Sequence, residues 1–72
     1  MIYTDRVHVV ADSLDELHDY AQDIGITRKW YEGVRKGHPY YDIPIKRLSK
    51  VLESKVRIVS TRIILQISKQ MK

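Results

Sequence analysis

Seventy-two residues have room for one core, so a single domain over 1–72 is expected, with a stability of about 3–5 kcal/mol unless a partner chain adds to it. A hydrophobic share of 43% and a charged share of 31% exclude a disordered chain, and the absence of cysteine excludes disulfides and thiolate metal sites. The net charge of +4 hides a division: residues 1–27 set Arg6 against Asp5, Asp12, Asp15, Glu16, Asp19 and Asp23, a net −5, while residues 28–72 set twelve Lys and Arg against Glu32, Asp42 and Glu53, a net +9.

Such a chain either binds polyanions through its second part or neutralises itself when the two parts pack together. No apolar run approaches the ~20 residues of a membrane span, and residues 1–6 lack a basic segment leading into an apolar one. A cytoplasmic location without membrane association is the expectation.

Ile2-Tyr3 reads as a minor edge strand, and Val7-His8-Val9-Val10-Ala11 as a main strand with both faces largely apolar, as suits a strand covered on both sides. Ser13-Leu14-Asp15-Glu16 is a capping-box pattern, and Leu14, Leu17, Ala21 and Ile24 form one helical stripe that Gly25 ends, which predicts a helix over about 13–24. His18 lies beside that stripe and reads as a half-covered boundary residue before it reads as a ligand.

Residues 27–32 suit one short helical turn, 33–37 a glycine-flanked basic loop, and 40–43 an extended segment. Pro44 fits the first turn of a second helix carrying Ile45, Leu48, Val51 and Leu52 inward, with Asp42 as a natural cap. Val56–Ser60 reads as the second main strand. Ser60 or Thr61 then caps a last helix with Ile63, Ile64, Ile67 and Met71 on one face, in competition with a strand running on through Ile67. The sum is a small α/β or α+β layer domain of order β-α-α-β-α. Its two- to three-stranded sheet is covered by helices, with the main strands parallel across a right-handed crossover.

The chemistry gathers in His38-Pro39-Tyr40-Tyr41-Asp42-Ile43-Pro44, the densest set of reactive and binding groups in the chain. Together with His8, Asp12, Trp30 and Arg62, the residues His38, Tyr41 and Asp42 define an expected ligand pocket where the first main strand meets this stretch. Arg28, Lys29, Arg35 and Lys36 interleave with Trp30, Tyr31, Tyr40 and Tyr41, the mixture of cations and rings that binds single-stranded nucleic acid. Lys46, Arg47 and Lys50 extend it if the second helix faces the same way. Trp30 is better suited to anchoring a core that has no phenylalanine than to serving as a stacking platform.

The chain resembles the domain-of-unknown-function 4031 family of small bacterial and phage proteins. Four pieces carry the resemblance: His8-Val9-Val10-Ala11-Asp12; Leu14-Asp15-Glu16-Leu17-His18 running to Ala21 and Ile24-Gly25-Ile26; Trp30-Tyr31; and His38-Pro39-Tyr40-Tyr41-Asp42-Ile43. Ser60-Thr61-Arg62 is a weaker match. Tyr40 stands where members often carry a second histidine, and Glu53-Ser54-Lys55 replaces a common Gly-Ala. The resemblance implies a shared fold and no activity.

The residues favour binding of a phosphate-bearing ligand, most simply nucleic acid or a nucleotide, with Trp30 and Tyr41 stacking and His38 donating a hydrogen bond. A second reading is a metal-assisted hydrolase using His8, Asp12, His38 and Asp42, with His18 as a further donor. There His8 and Asp12 lie ~13 Å apart along an unbent strand. A third is an interaction module, with the C-terminal apolar stripe making a homodimer. No signature settles a cofactor or an enzyme class.

Overall fold

The computed structural model describes residues 1–33 and 37–71. Five strands, β1 (Ile2–Thr4), β2 (His8–Ala11), β3 (Tyr31–Glu32), β4 (Tyr40–Asp42) and β5 (Val56–Ile58), form one mixed sheet in the order β3-β4-β2-β1-β5. Three helices accompany it: α1 (Leu14–Ile24), α2 (Ile45–Glu53) and α3 (Thr61–Gln70), with a 3₁₀ turn at Arg28–Trp30. The architecture is α+β, and the expected sheet of two or three strands is too small. The segment assigned to a minor edge is instead the strand between β2 and β5.

That insertion also reverses the expected geometry of the main strands. β1 pairs antiparallel with β2 and parallel with β5, so β2 and β5 run in opposite directions. Thr4 disguised β1 as surface: it is 0% exposed because its hydroxyl donates to the His8 carbonyl at 2.7 Å and accepts from the Arg6 amide at 3.0 Å. A buried hydroxyl with both capacities used costs little.

The register sorts side chains by face. Ile2, Thr4, Val9, Ala11 and Tyr41 share one face; Tyr3, His8, Val10 and Asp42 share the other. α1 packs on the first face, where His18 meets Tyr31 and Tyr41 edge-on. Val9 and Val10 are both fully buried, so both faces of β2 are closed, and α3 is the second helix against it. α3 is tied there at three points. Thr61 donates to Asp5, Ser68 donates to the Pro39 carbonyl, and Met71 Sδ accepts from the Ala11 amide. Residues 61–70 are therefore helix, with Ser60 as cap accepting from the Ile63 amide at 3.3 Å.

α1 follows its sequence signals. Ser13 Oγ accepts from the Glu16 amide at 3.2 Å, and Gly25, at φ 91°, closes the helix in the left-handed conformation. Only half of the capping box forms, because the Glu16 carboxylate binds the Met1 amino group. α2 departs from expectation twice. Asp42 is a strand residue and does not cap it; Pro44 occupies the cap position with no side-chain bond. Ile45 and Leu52, assigned to the buried stripe, are 92% and 42% exposed; Val51 is the residue of that stripe that is fully buried. No helix of the described residues is long and apolar enough to cross a membrane.

Candidate functional site

The expected pocket does not gather at one place; β4 distributes its residues to two sides of the sheet. Tyr40 and Asp42 face His8, while Tyr41 faces α1.

On the His8 side, the tight turn joining β1 to β2 places Asp5 beneath the imidazole. Its Oδ1 accepts from the Val7 and His8 amides at 2.9 and 2.7 Å, and its Oδ2 accepts from His8 Nδ1–H at 3.0 Å and from the Thr61 hydroxyl at 2.6 Å. The Asp5 side chain is 4% exposed. Burial pushes its carboxyl up, but hydrogen bonds from Thr61, from the His8 ring and from the two amides outweigh this and hold it at about 2. Arg6, at φ 76°, takes the strained position of this turn.

A carboxylate so depressed stabilises the fold fully above its ordinary value of 3.8, and that contribution is lost as pH falls through about 2. Urea midpoints measured from pH 5 downward are expected to fall by the equivalent of ~2 kcal/mol over that window. Asp5→Asn is expected to start less stable and to lose that part of the slope. An unchanged slope in the variant would contradict the assignment.

With Nδ1–H committed to Asp5, His8 Nε2 faces Asp42 Oδ1 at 3.8 Å, and the side chain is 26% exposed. Tyr40 packs edge-on against His8 at 4.9 Å and stacks on His38 at 6.3 Å. Thus His8 lies beside Asp42 and, through Tyr40, near His38. Asp12 does not. It lies at the far end of β2, exposed, bonded to the Met1 amino group and to the Tyr3 hydroxyl. Arg62 is exposed at the start of α3, next to Thr61. Among the described residues, no three potential metal-ligating side chains cluster.

On the α1 side, Tyr41 is 1% exposed, covered by His18 and Tyr31, with its hydroxyl 2.7 Å from His18 Nδ1. Burial and then the nearby Arg28 cation lower the His18 pKa, against the pull of Asp15 and Asp19. Burial, helped by Tyr31 and opposed by Arg28, raises that of Tyr41. The lowered His18 pKa and the raised Tyr41 pKa both favour the neutral forms of this hydrogen-bonded pair. With its ring covered, Tyr41 presents no face on which a base could stack.

Next to this pair lie two adjoining clefts that share Gly25 and Thr27. One, about 350 Å³, is lined by His18, Asp19, Gln22 and Arg28 among others; the second, about 610 Å³, by Lys29, Trp30, Ile43, Pro44, Ile45, Lys46 and Arg47. The 3₁₀ turn presents Arg28 and Lys29, and the first turn of α2 presents Lys46 and Arg47. Lys29 Nζ lies 5.6 Å from the Trp30 ring centre, and Arg47 Nε donates to the Gly25 carbonyl at 3.3 Å. Trp30 is half-buried, packed on the core and open to the second cleft, so it serves as both anchor and lining. Arg35 and Lys36 lie outside the described residues.

Asp5 and Thr61 are absent from the pocket read in the sequence, whereas Lys46 and Arg47, expected to extend the basic patch if the second helix faced it, do line the cleft with Lys29 and Trp30. Asp5 carried a signal, as an Asp placed to turn the chain between two short strands. It becomes visible only once Ile2–Thr4 is taken as a full strand.

The fold and its surface define a class: a small α+β domain with a buried Asp5 paired to a partly exposed His8 on one face of its sheet and a cationic, tryptophan-bearing groove beside the other. The chain belongs to the DUF4031 family, described as a protein of unknown function, whose model matches residues 3–71. No curated protein and no solved structure matches it.

Proposed function

We propose that the groove between the 3₁₀ turn and α2 binds single-stranded nucleic acid or a nucleotide. The observation that carries this reading is the convergence of Lys29, Lys46 and Arg47 on one cleft around Trp30, with Arg28 in the adjoining cleft. Cations tracking phosphates beside a half-open indole are what a flexible polyanion with π-faced bases requires. The α2 N-terminus adds to it: no side chain caps its amides, and Pro44 to Arg47 line the same cleft, so the positive end of the helix dipole faces the ligand. Exposed Ile45 gives a base or sugar an apolar contact.

In this reading Trp30 alone stacks. His38 belongs to the His8 side of the sheet. The metal-assisted alternative loses Asp12 to the opposite end of β2.

Trp30 is the only tryptophan, so its fluorescence reports the groove directly. Titration with an unstructured deoxythymidine oligonucleotide of about ten residues is expected to give a saturable change. A flat response, with no binding by an independent method, would overturn the reading.

A further inference from the structure

We propose that α1 and α2 form the contact of a two-fold homodimer, in which the acidic ridge of α1 in each copy lies over the basic ridge of α2 in the other. The dimer does not depend on nucleic-acid binding by the groove.

The charge division of the chain is not cancelled within one copy. Among the described residues, no Lys or Arg side chain forms an ion pair with an Asp or Glu; the ion pairs present use the Met1 amino group and His8. α1 has no Lys or Arg. Its Asp15, Asp19 and Asp23, spaced four apart, are exposed on the side away from the buried Leu17 and Ala21. α2 sets Lys46, Arg47 and Lys50 against Glu53, and Lys55 follows it; Lys46, Lys50 and Lys55 are exposed.

The two ridges lie side by side. The Tyr20 hydroxyl of α1 is 2.6 Å from the hydroxyl of Ser54, which ends α2. Arg47, near the start of α2, donates to the carbonyl of Gly25, which ends α1, at 3.3 Å. The helices are therefore antiparallel neighbours. A two-fold axis running between them, parallel to both, lays α1 of each copy over α2 of the other, so two identical contacts form at once.

Such an axis preserves height along the helices. Asp23, between Tyr20 and Gly25, then meets Lys50, between Arg47 and Ser54, and Asp19 meets Lys55, since Tyr20 and Ser54 are level. Leu52, 42% exposed on α2, adds apolar surface to the contact. Laying each helix on its own counterpart would set acid against acid and base against base, so charge selects the crossed arrangement. Ion pairs between exposed side chains are individually weak and are screened by salt, so the dimer forms at high protein concentration and low salt.

The test is sedimentation equilibrium of the full chain with charge-swapped variants, each checked for fold by circular dichroism. At about 1 mM protein in ~20 mM salt the average mass is expected to approach twice that of one chain, and to fall toward the single-chain mass in ~0.5 M salt. Lys50→Glu/Lys55→Glu and Asp19→Lys/Asp23→Lys are each expected to weaken association at least ~10-fold, because each sets like charges together in both contacts. Mixed in equal amounts, the two variants are expected to regain the wild-type mass, because every contact is again between opposite charges. Arg62→Glu/Lys69→Glu, which alters exposed cations of α3, is expected to restore nothing when mixed with Asp19→Lys/Asp23→Lys. A chain that stays single at every concentration overturns the dimer and gives this face to solvent or to a different partner. Association that both variants leave intact places the contact on another surface and also overturns it, as does a mixture that stays dissociated.

Discussion

Tyr41→Ala is expected to unfold the protein at 25 °C. Tyr41 is the largest fully buried side chain among the described residues, pairs through β4 with Val9 at the centre of the sheet, and closes the α1 side against His18 and Tyr31. Removing a buried aromatic ring costs about 3–5 kcal/mol, as much as the whole stability available to a domain of this size. Tyr41→Phe separates packing from hydrogen bonding. It keeps the ring and leaves His18 Nδ1 without its 2.7 Å partner, for a loss of about 1 kcal/mol. Circular dichroism and urea denaturation measure both. A folded Tyr41→Ala protein with a midpoint near wild type would show that the packing at this point is not as described.

The second large effect is on binding. Lys29 and Lys46 approach the groove from opposite walls, one from the 3₁₀ turn and one from α2, and both are exposed. At 0.1 M salt each phosphate contact to a single strand contributes ~0.7 log unit through counterion release, so neutralising two costs ~25-fold. Reversing them adds repulsion, and Lys29→Glu/Lys46→Glu is expected to weaken oligonucleotide binding ~100-fold with the urea midpoint unchanged. Lys69, exposed near the end of α3, serves as the control: Lys69→Glu is expected to change affinity by less than about threefold. Equal losses from both variants would indicate a diffuse charge effect with no groove.

How much of this was legible in the sequence depends on the range over which each feature is determined. α1 was readable because its cap, stripe and terminating glycine are all local. β1 was readable only as a minor edge, because three mixed residues carry no period, and its burial comes from strands on both sides, one of them more than fifty residues away. Placing β1 at the edge misdirected β5, and the sheet was undercounted because β3 and β4 are short segments that read as a helical turn and an extended stretch.

The His38–Pro44 stretch reads as one site in the sequence, but alternation along a strand sends Tyr40 and Asp42 one way and Tyr41 the other. One expected pocket therefore became two surfaces. The basic-aromatic groove was half legible: Arg28, Lys29 and Trp30 are contiguous in sequence, whereas Lys46 and Arg47 join them only through the placement of α2. The Asp5–His8 pair needed the turn geometry, which followed from neither residue alone.

The most direct test of the central claim is the salt dependence of oligonucleotide binding, followed by Trp30 fluorescence between 50 and 300 mM salt. With Arg28, Lys29, Lys46 and Arg47 each meeting a phosphate, log K is expected to fall against log salt with a slope of about −3. Lys29→Glu/Lys46→Glu is expected to bring it nearer −1. A slope near zero, or one the double variant leaves unchanged, would contradict a polyanion site in this groove.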